Sequence, residues 1–242
     1  MKETEIEFSL VIPTYGEEQT IGFVLDEVNE LRKKYHLEVI VVDENSKDAT
    51  RDIAEAKGAR VLINPNKKGK GSSLLYGFSQ SKGPYLVMLD GDGSHRVEDA
   101  PKLVEVLKNE PEVGLVIASR IMGGSDEYTN IKALGNVFLT YFTGVFLKRY
   151  LSDAINGFKA FRREIFDHSK FHAHSFDLEI ELIANTMRRG FQIREVASHE
   201  RARLAGEAKA KILKHGTQFF LRILKEYFRN KKLRGKSEST ET

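Results

Sequence analysis

The sequence predicts an α/β protein with a mainly parallel, Rossmann-like central sheet and helices on both faces. Two observations lead to this fold class. Short apolar runs typical of strands alternate with longer amphipathic segments typical of helices. The strand runs are almost continuously apolar, as expected for parallel strands that helices cover on both faces.

Five strands are expected in the first half of the chain, each a run rich in Val, Ile or Leu: Phe8–Ile12, Glu38–Asp43, Arg60–Ile63, Tyr85–Asp90 and Val113–Ala118. The segments between them carry apolar residues at helical spacing. Four helices are therefore expected there: Glu17–Lys34, Asp48–Lys57, Ser72–Ser81 and Val97–Lys108.

After Ser119 the pattern changes. We expect an apolar helix over Ile131–Arg149, a strand over Asn156–Phe161, a helix over Asp177–Arg189 and a C-terminal amphipathic helix. The chain is accordingly divided into a domain over 1–210, the amphipathic helix over 211–230, and a basic, then polar tail over 231–242 that is expected to be disordered.

Composition and charge narrow the class of protein. The 242 residues are 30% charged and 40% hydrophobic, which excludes a disordered chain. The absence of cysteine excludes disulfides and thiolate chemistry, and with no apolar leader or span we expect a cytoplasmic protein. The segment from Arg203 to Lys236 contains eleven Lys and Arg residues but only two Glu residues. This excess of positive charge predicts an anionic partner such as a membrane surface or a phosphorylated ligand.

Two carboxylates, Asp90 and Asp92, follow the apolar run that begins at Tyr85. Ligands of open α/β sheets bind beyond the carboxyl ends of the strands, and polar blocks also follow the other predicted strands. Two hard oxygen ligands so close together suit Mg²⁺ or Mn²⁺, although Asp and Gly are also ordinary turn formers.

Six blocks taken in order resemble the inverting family 2 glycosyltransferases of the GT-A fold, from about Phe8 to Lys209. They are VIPTYGEE, VVDENSKDAT, LDGDGSH, NGFKAFRRE, FDLEIE and RARLAGEAK. Within that family the chain looks most like the dolichyl-phosphate mannose and glucose synthases. It departs from the family pattern at Gly16 (usually Asn), Glu44 (usually Asp) and Ala208 (often Ser).

The resemblance implies a set of donor-site residues. Pro13, Tyr15, Glu17 and Asp43 would hold the nucleoside, although Glu17 would also serve as an ordinary acid at a helix start. Asp92, with Asp90 and Ser94, would carry Mg²⁺ or Mn²⁺ on the donor diphosphate, and Gly91 lies between the two carboxylates. Lys70, in a glycine-rich stretch, either approaches a phosphate or belongs to a merely flexible loop.

The resemblance also implies cations around the donor diphosphate and the acceptor phosphate, namely Arg120, Arg203 and Lys209; for the last two, the alternative is a solvated basic face. Asp177 and Glu179 are candidate catalytic acids at a helix start. With a hydroxyl acceptor one of them would be a general base, whereas with a phosphate acceptor both would orient the sugar hydroxyls.

The implied activity is transfer of mannose or glucose from a UDP- or GDP-sugar to dolichyl or polyprenyl phosphate, at the cytoplasmic face of a membrane. Ile212–Phe228, aromatic on one face and basic on the other, is expected to make peripheral membrane contact, and Leu134–Leu147 to pack in the core or an oligomer. Two alternatives stay open: the same fold with a hydroxyl acceptor, and a non-catalytic phosphate- or RNA-binding protein.

Overall fold

A seven-stranded sheet runs through the described part of the chain in the order β3-β2-β1-β4-β6-β5-β7. The computed structural model describes residues 5–65, 69–167, 169–206 and 212–238. The strands are β1 (Phe8–Thr14), β2 (Leu37–Asp43), β3 (Arg60–Ile63), β4 (Tyr85–Met88), β5 (Val113–Ser119), β6 (Lys159–Arg162) and β7 (Gln192–Ala197). The helices are α1 (Ile21–Arg32), α2 (Thr50–Ala56), α3 (Lys70–Gln80), α4 (Ala100–Asn109), α5 (Arg120–Gly123), α6 (Asn130–Leu147), α7 (Arg163–Asp167), α8 (Leu178–Arg188) and α9 (Ile212–Glu238).

Neighbouring strands pair in parallel except at β6, which runs antiparallel to both β4 and β5. Ala160 of β6 lies opposite Val87 of β4 on one side and Val116 of β5 on the other. Because the other strands share one direction, β1, β2, β4 and β5 all end at the same edge of the sheet. The polar loops that follow these strands therefore meet.

Apolar side chains pack on both faces of the sheet. On β1, Leu10 and Ile12 enter the layer shared with α1 and α4, whereas Val11 enters the layer shared with α3 and α8. On that second face α3 lies so close that a Cβ atom at Gly77 would be 2.4 Å from Cγ1 of Val11. The predicted parallel sheet with helices on both faces is confirmed.

Three elements were not expected from the sequence: the short helices α5 and α7, and the edge strand β7. In β7 only Ile193 is buried, and its neighbours include Gln, Arg and Glu. An edge strand that is half exposed needs no apolar run, so the pattern that predicts the inner strands is absent.

Helix α6 presents large apolar side chains outward, and its buried side carries three polar residues beside Leu139 and Leu147. Asn136, Thr140 and Thr143 are buried against the rest of the protein. The large side chains on the opposite side are half exposed or more: Ile131, Leu134, Val137, Phe138, Tyr141 and Val145. We call these six residues the α6 apolar face. Of the two alternatives for Leu134–Leu147, packing in the core is thus wrong for this side of the helix, and an oligomer contact stays a prediction.

The aromatic side of α9 packs against α6 and α8. Phe219 and Ile223 are buried, Phe220 meets Phe142 at 5.6 Å between ring centroids, and Tyr227 meets Phe146 at 5.2 Å. Among the described side chains of Ile212–Phe228, these aromatic residues are therefore covered by protein, whereas Leu221 and Phe228 are exposed, and the membrane contact of this segment stays a prediction. The helix also continues to Glu238 through most of the tail expected to be disordered. Among the described residues, no helix combines the length and apolarity needed to cross a bilayer.

Candidate active site

A cavity of about 600 Å³ opens where β1, β2, β4 and β5 end. Tyr15, Glu44, Asp92 and Arg120, one from the loop after each of these strands, all line it. The convergence of the polar loops predicted from the sequence is therefore present. One half of the wall is charged, and the other half is apolar and comes mainly from α6 and α9: Ile131, Phe138, Leu139, Phe219 and Phe220.

Lys70 joins two carboxylates in the charged half. Its Nζ atom lies 2.8 Å from Oδ1 of Asp90 and 3.2 Å from Oε1 of Glu179. A Cβ atom at Gly157 would lie only 2.6 Å from this ammonium, so the glycine leaves the space that Lys70 occupies. The ring of Phe176 lies 5.2 Å from Nζ and closes the other side.

The charges of this trio follow from burial and pairing. Burial opposes ionisation of Asp90, but the Lys70 ammonium and the His95 imidazole outweigh it and hold the pKa of Asp90 far below its ordinary value. Burial likewise opposes the charge on Lys70, but Asp90 and Glu179 raise its pKa above the ordinary value. For Glu179 burial dominates and raises the pKa, and its Oε2 atom is buried without a hydrogen-bond partner among the described residues.

Asp92 and Ser94 place three oxygen atoms together beside the trio. Oδ1 of Asp92 accepts hydrogen bonds from the backbone N–H of Ser94 at 3.0 Å and from its hydroxyl at 2.7 Å. Oδ2 of Asp92 pairs with Nη1 of Arg203 at 3.0 Å. Hard oxygen donors of this kind fit Mg²⁺ or Mn²⁺.

The described part of the chain contains no group of three or more His, Cys, Asp or Glu side chains able to hold a metal. A divalent cation such as Mg²⁺ is often held by only one or two carboxylates and takes its other ligands from water and substrate phosphates. The three predicted metal ligands, Asp90, Asp92 and Ser94, all line the cavity, where Asp90 pairs with Lys70 and Asp92 pairs with Arg203.

A second cluster of paired charges surrounds Arg120. Its guanidinium donates to Asp153 at 2.7 and 2.9 Å, lies 3.3 Å from Glu200, and stacks 5.0 Å from the ring centroid of Tyr128. Lys132, at the start of α6, also lines the cavity and pairs with Glu127 at 3.0 Å. The sequence motifs did not single out these partners, because they lie between the blocks and follow no apolar strand.

Most of the residues predicted to bind the nucleotide sugar near β1 and β4 line the cavity, but Asp43 does not. Pro13, Tyr15, Glu17 and Gly91 line the cavity. Asp43 is fully buried behind the wall, where it accepts a hydrogen bond from the backbone N–H of Ser46 at 2.8 Å. The acid that faces the cavity after β2 is Glu44, the residue at which the chain departs from the family pattern.

The two candidate catalytic acids at the start of α8 point in different directions. Glu179 lines the cavity, whereas Asp177 points away from it and pairs with Arg222 of α9 at 2.6 Å. A general-base role for Asp177 is therefore not supported by its position. Lys209 lies outside the described residues, and its proposed phosphate contact stays a prediction.

Comparison with known proteins agrees with this geometry. A family model described as Glycosyl transferase family 2 matches residues 9–169. The chain belongs to glycosyl transferase family 2. The resemblance read from the motifs is confirmed.

Curated relatives of the chain are glycosyltransferases by name, and two of them are named for dolichyl phosphate. The chain is 30% identical over 203 residues to a dolichyl-phosphate hexose transferase of Haloferax volcanii, covering 84% of this chain and 86% of the relative. It is 26% identical over 184 residues to the dolichol-phosphate mannosyltransferase of Pyrococcus furiosus, covering 72% and 51%. It is 28% identical over 186 residues to glycosyltransferase AglJ of Haloferax volcanii, covering 76% and 59%. The chain thus spans only about half the length of the last two relatives.

The solved structures of the same fold belong to an enzyme whose name describes a phosphoglycerate product. Glucosyl-3-phosphoglycerate synthase of Mycobacterium tuberculosis with Mn²⁺ and UDP-glucose superimposes with a TM-score of 0.76 at 25% identity, covering 91% of this chain and 79% of that one. The same enzyme with Mg²⁺ and UDP gives a TM-score of 0.73 at 25% identity and the same coverage. The predicted GT-A fold of this family 2 glycosyltransferase is confirmed.

The buried side chain of Lys159 should make the stability of the protein depend on pH. Lys159 of β6 is fully buried, and its Nζ donates to the carbonyl oxygen of Ala154 at 2.9 Å. Burial lowers the pKa of Lys159 from 10.5 to about 8, against partial compensation by Glu179 and other carboxylates. Between these two pKa values the unfolded chain binds more protons than the folded chain, so stability rises with pH.

We expect the free energy of unfolding of the wild type, relative to Lys159→Met, to rise by about 2 kcal/mol between pH 7 and pH 10. Urea unfolding followed by circular dichroism measures it. Lys33 is exposed and serves as the control. The free energy of unfolding of the wild type relative to Lys33→Met should not change over the same pH range. A flat difference for Lys159→Met would show that Lys159 keeps its ordinary pKa in the folded protein.

Proposed function

We propose that this chain transfers a mannose or glucose residue from a nucleotide diphosphate sugar to dolichyl or another polyprenyl phosphate, with Mg²⁺ or Mn²⁺ as cofactor. The observation that carries the proposal is the division of the cavity. Acidic and basic groups suited to a nucleoside diphosphate and a phosphate lie at the strand ends, and an apolar wall from α6 and α9 continues from them. A lipid phosphate has this combination of charged head and apolar chain.

The donor would lie against β1 and β4. Pro13, Tyr15 and Glu17 would contact the nucleoside, with Asp43 supporting their loop from behind, and Lys70 would approach the diphosphate. Asp92 and Ser94 would hold the divalent cation, which supplies Lewis-acid stabilisation of the leaving diphosphate when bound. The complexes of the mycobacterial enzyme with Mn²⁺ and UDP-glucose and with Mg²⁺ and UDP support this assignment.

The acceptor phosphate would lie among Arg120, Arg203 and Lys132. One of its oxygens attacks the anomeric carbon, the bond from that carbon to the diphosphate oxygen breaks, and the configuration inverts. A phosphate monoester has a second pKa of about 6 and is a dianion near neutrality, so no general base is needed. Glu179 would then orient sugar hydroxyls through its unpartnered Oε2 atom.

A hydroxyl acceptor is the second candidate, because Glu179 also has the raised pKa expected of a buried general base. The two acceptor classes make different demands on this residue. With a hydroxyl acceptor, Glu179→Gln removes the base and lowers the rate by about 10²- to 10⁴-fold. With a phosphate acceptor, the loss is milder.

The direct test is release of nucleoside diphosphate from a panel of UDP- and GDP-hexoses with Mn²⁺ or Mg²⁺, with and without polyprenyl phosphate. We expect release from one donor that depends on the lipid phosphate and falls by at least about 100-fold in Asp92→Ala. Asp26→Ala, an exposed acid paired with Lys57, is the matched control and should match the wild type. Release that never depends on the lipid phosphate would rule out the lipid-linked reaction.

We further propose that the protein contacts a membrane surface through the α6 apolar face. These side chains are exposed beside the apolar half of the cavity, where a membrane-borne acceptor would enter. Basic side chains on the neighbouring exposed surface of α9, such as Lys225 and Lys231, would favour anionic lipid.

A vesicle sedimentation assay tests this contact. Burying one large apolar side chain contributes about 1.5–3 kcal/mol, so the double variant Leu134→Glu/Phe138→Glu should bind anionic vesicles at least about tenfold more weakly than the wild type. Ile63→Glu, which changes a residue at the end of β3 that is about as exposed as Phe138, should bind like the wild type. Equal binding by the double variant would exclude the α6 apolar face as the contact.

A further inference from the structure

A buried charge cluster ties the last helix to the region of the active site. The Arg222 guanidinium of α9 is almost fully buried and donates to Oδ2 of Asp177 at 2.6 and 2.8 Å. The same guanidinium lies 3.6 Å from Glu181 and 3.3 Å from Glu226. Buried carboxylates need such a partner, because an unpaired charge in this environment is strongly unfavourable.

Two of these carboxylates hold the backbone of the segment 172–177, which leads into α8. Glu181 accepts hydrogen bonds from the backbone N–H groups of His172 at 2.9 Å and Ala173 at 2.7 Å. Asp177 accepts from the backbone N–H of Ser175 at 3.2 Å. The position of the segment therefore depends on carboxylates that Arg222 holds in turn.

The segment 172–177 packs directly on the start of α3. The carbonyl oxygen of His174 accepts a hydrogen bond from the backbone N–H of Ser72 at 3.2 Å. A Cβ atom at Gly69 would lie 2.2 Å from that same oxygen, and one at Gly71 would lie 2.4 Å from the carbonyl oxygen of Ser175. With so little space, a shift of the segment must move the start of α3, where Lys70 lies.

Phe176 belongs to the same segment and lies next to both Lys70 and helix α9. Its ring lies 5.2 Å from Nζ of Lys70 and 4.6 Å from the ring of His215 on α9. Arg222 itself does not line the cavity. Its influence on the site would pass through the segment.

We propose that Arg222 is a positioning residue: through Asp177, Glu181 and the segment 172–177, it fixes Lys70 between Asp90 and Glu179. The kinetic part of this proposal rests on the proposed transferase function, whereas the structural part does not. Arg229 provides a matched control on the same helix. It approaches Glu181 and Glu226 only at 3.8–3.9 Å, is more exposed, and has no contact with Asp177 among the described residues.

The test measures the reactivity of the Lys70 amine in the whole protein without substrate. Brief acetylation at neutral pH, read by mass spectrometry, compares Lys70 with the exposed Lys33 as internal reference. In Arg222→Met and Asp177→Asn, we expect Lys70 acetylation to rise at least about threefold relative to Lys33, because local opening exposes the amine. Arg229→Met should keep the wild-type ratio.

Arg222→Lys keeps the charge but cannot form the two-pronged contact with Asp177, so it serves if Arg222→Met does not fold. In each folded Arg222 variant, kcat/KM should fall by about 10- to 100-fold, mainly in kcat, since small misplacements of site residues have effects of this size. The double variant Arg222→Lys/Lys70→Met should lower kcat/KM by less than the product of the fold-losses of the two single variants, because both changes act on Lys70.

Unchanged Lys70 acetylation in folded Arg222 variants, or an equal rise in Arg229→Met, would overturn the positioning role. If the wild type transfers no sugar to any acceptor, the proposed function fails, but the acetylation ratios still decide the role of Arg222.

Discussion

The ammonium of Lys70, held between Asp90 and Glu179, is the interaction on which the site depends. It joins the start of α3, the loop after β4 and the first turn of α8 at one point. Glu179 is buried and Lys70 and Asp90 are partly buried, so each charge in the trio depends on its partners more than it would at the surface. The glycine at 157 leaves the space that the Lys70 ammonium occupies. The charged half of the cavity is therefore held together by ion pairs between the protein's own side chains.

The apolar half depends on a different constraint, the orientation of α6. Its polar residues face the protein, where Asn136 donates a hydrogen bond to Asp153, the partner of Arg120. This inward polar face leaves the apolar face of the helix outside, next to the cavity. A charged region and an apolar surface thus share one wall of the cavity, and this combination is the basis of the proposed transfer of a sugar to a lipid phosphate.

The sequence predicted the inner strands and the convergence of their loops, since continuous apolar runs have few other interpretations. It did not predict that β6 inserts antiparallel between β4 and β5, because periodicity does not encode strand order. It assigned the exposed apolar face to α9 rather than α6, because an amphipathic pattern does not say which face meets protein. Motif spacing likewise could not show that Asp177 pairs with Arg222 while Glu179, two residues on, faces the cavity.

The central claim is that the charged half of the cavity binds a nucleoside diphosphate together with a divalent cation at Asp92. Calorimetric titration of UDP and GDP into the wild type and Asp92→Asn, with Mn²⁺ and with EDTA, tests it without any acceptor. We predict that Mn²⁺ tightens binding of one nucleotide by at least about tenfold, or 1.4 kcal/mol, in the wild type and not in Asp92→Asn. Equal affinity with and without Mn²⁺, or the same gain in Asp92→Asn, would contradict the claim.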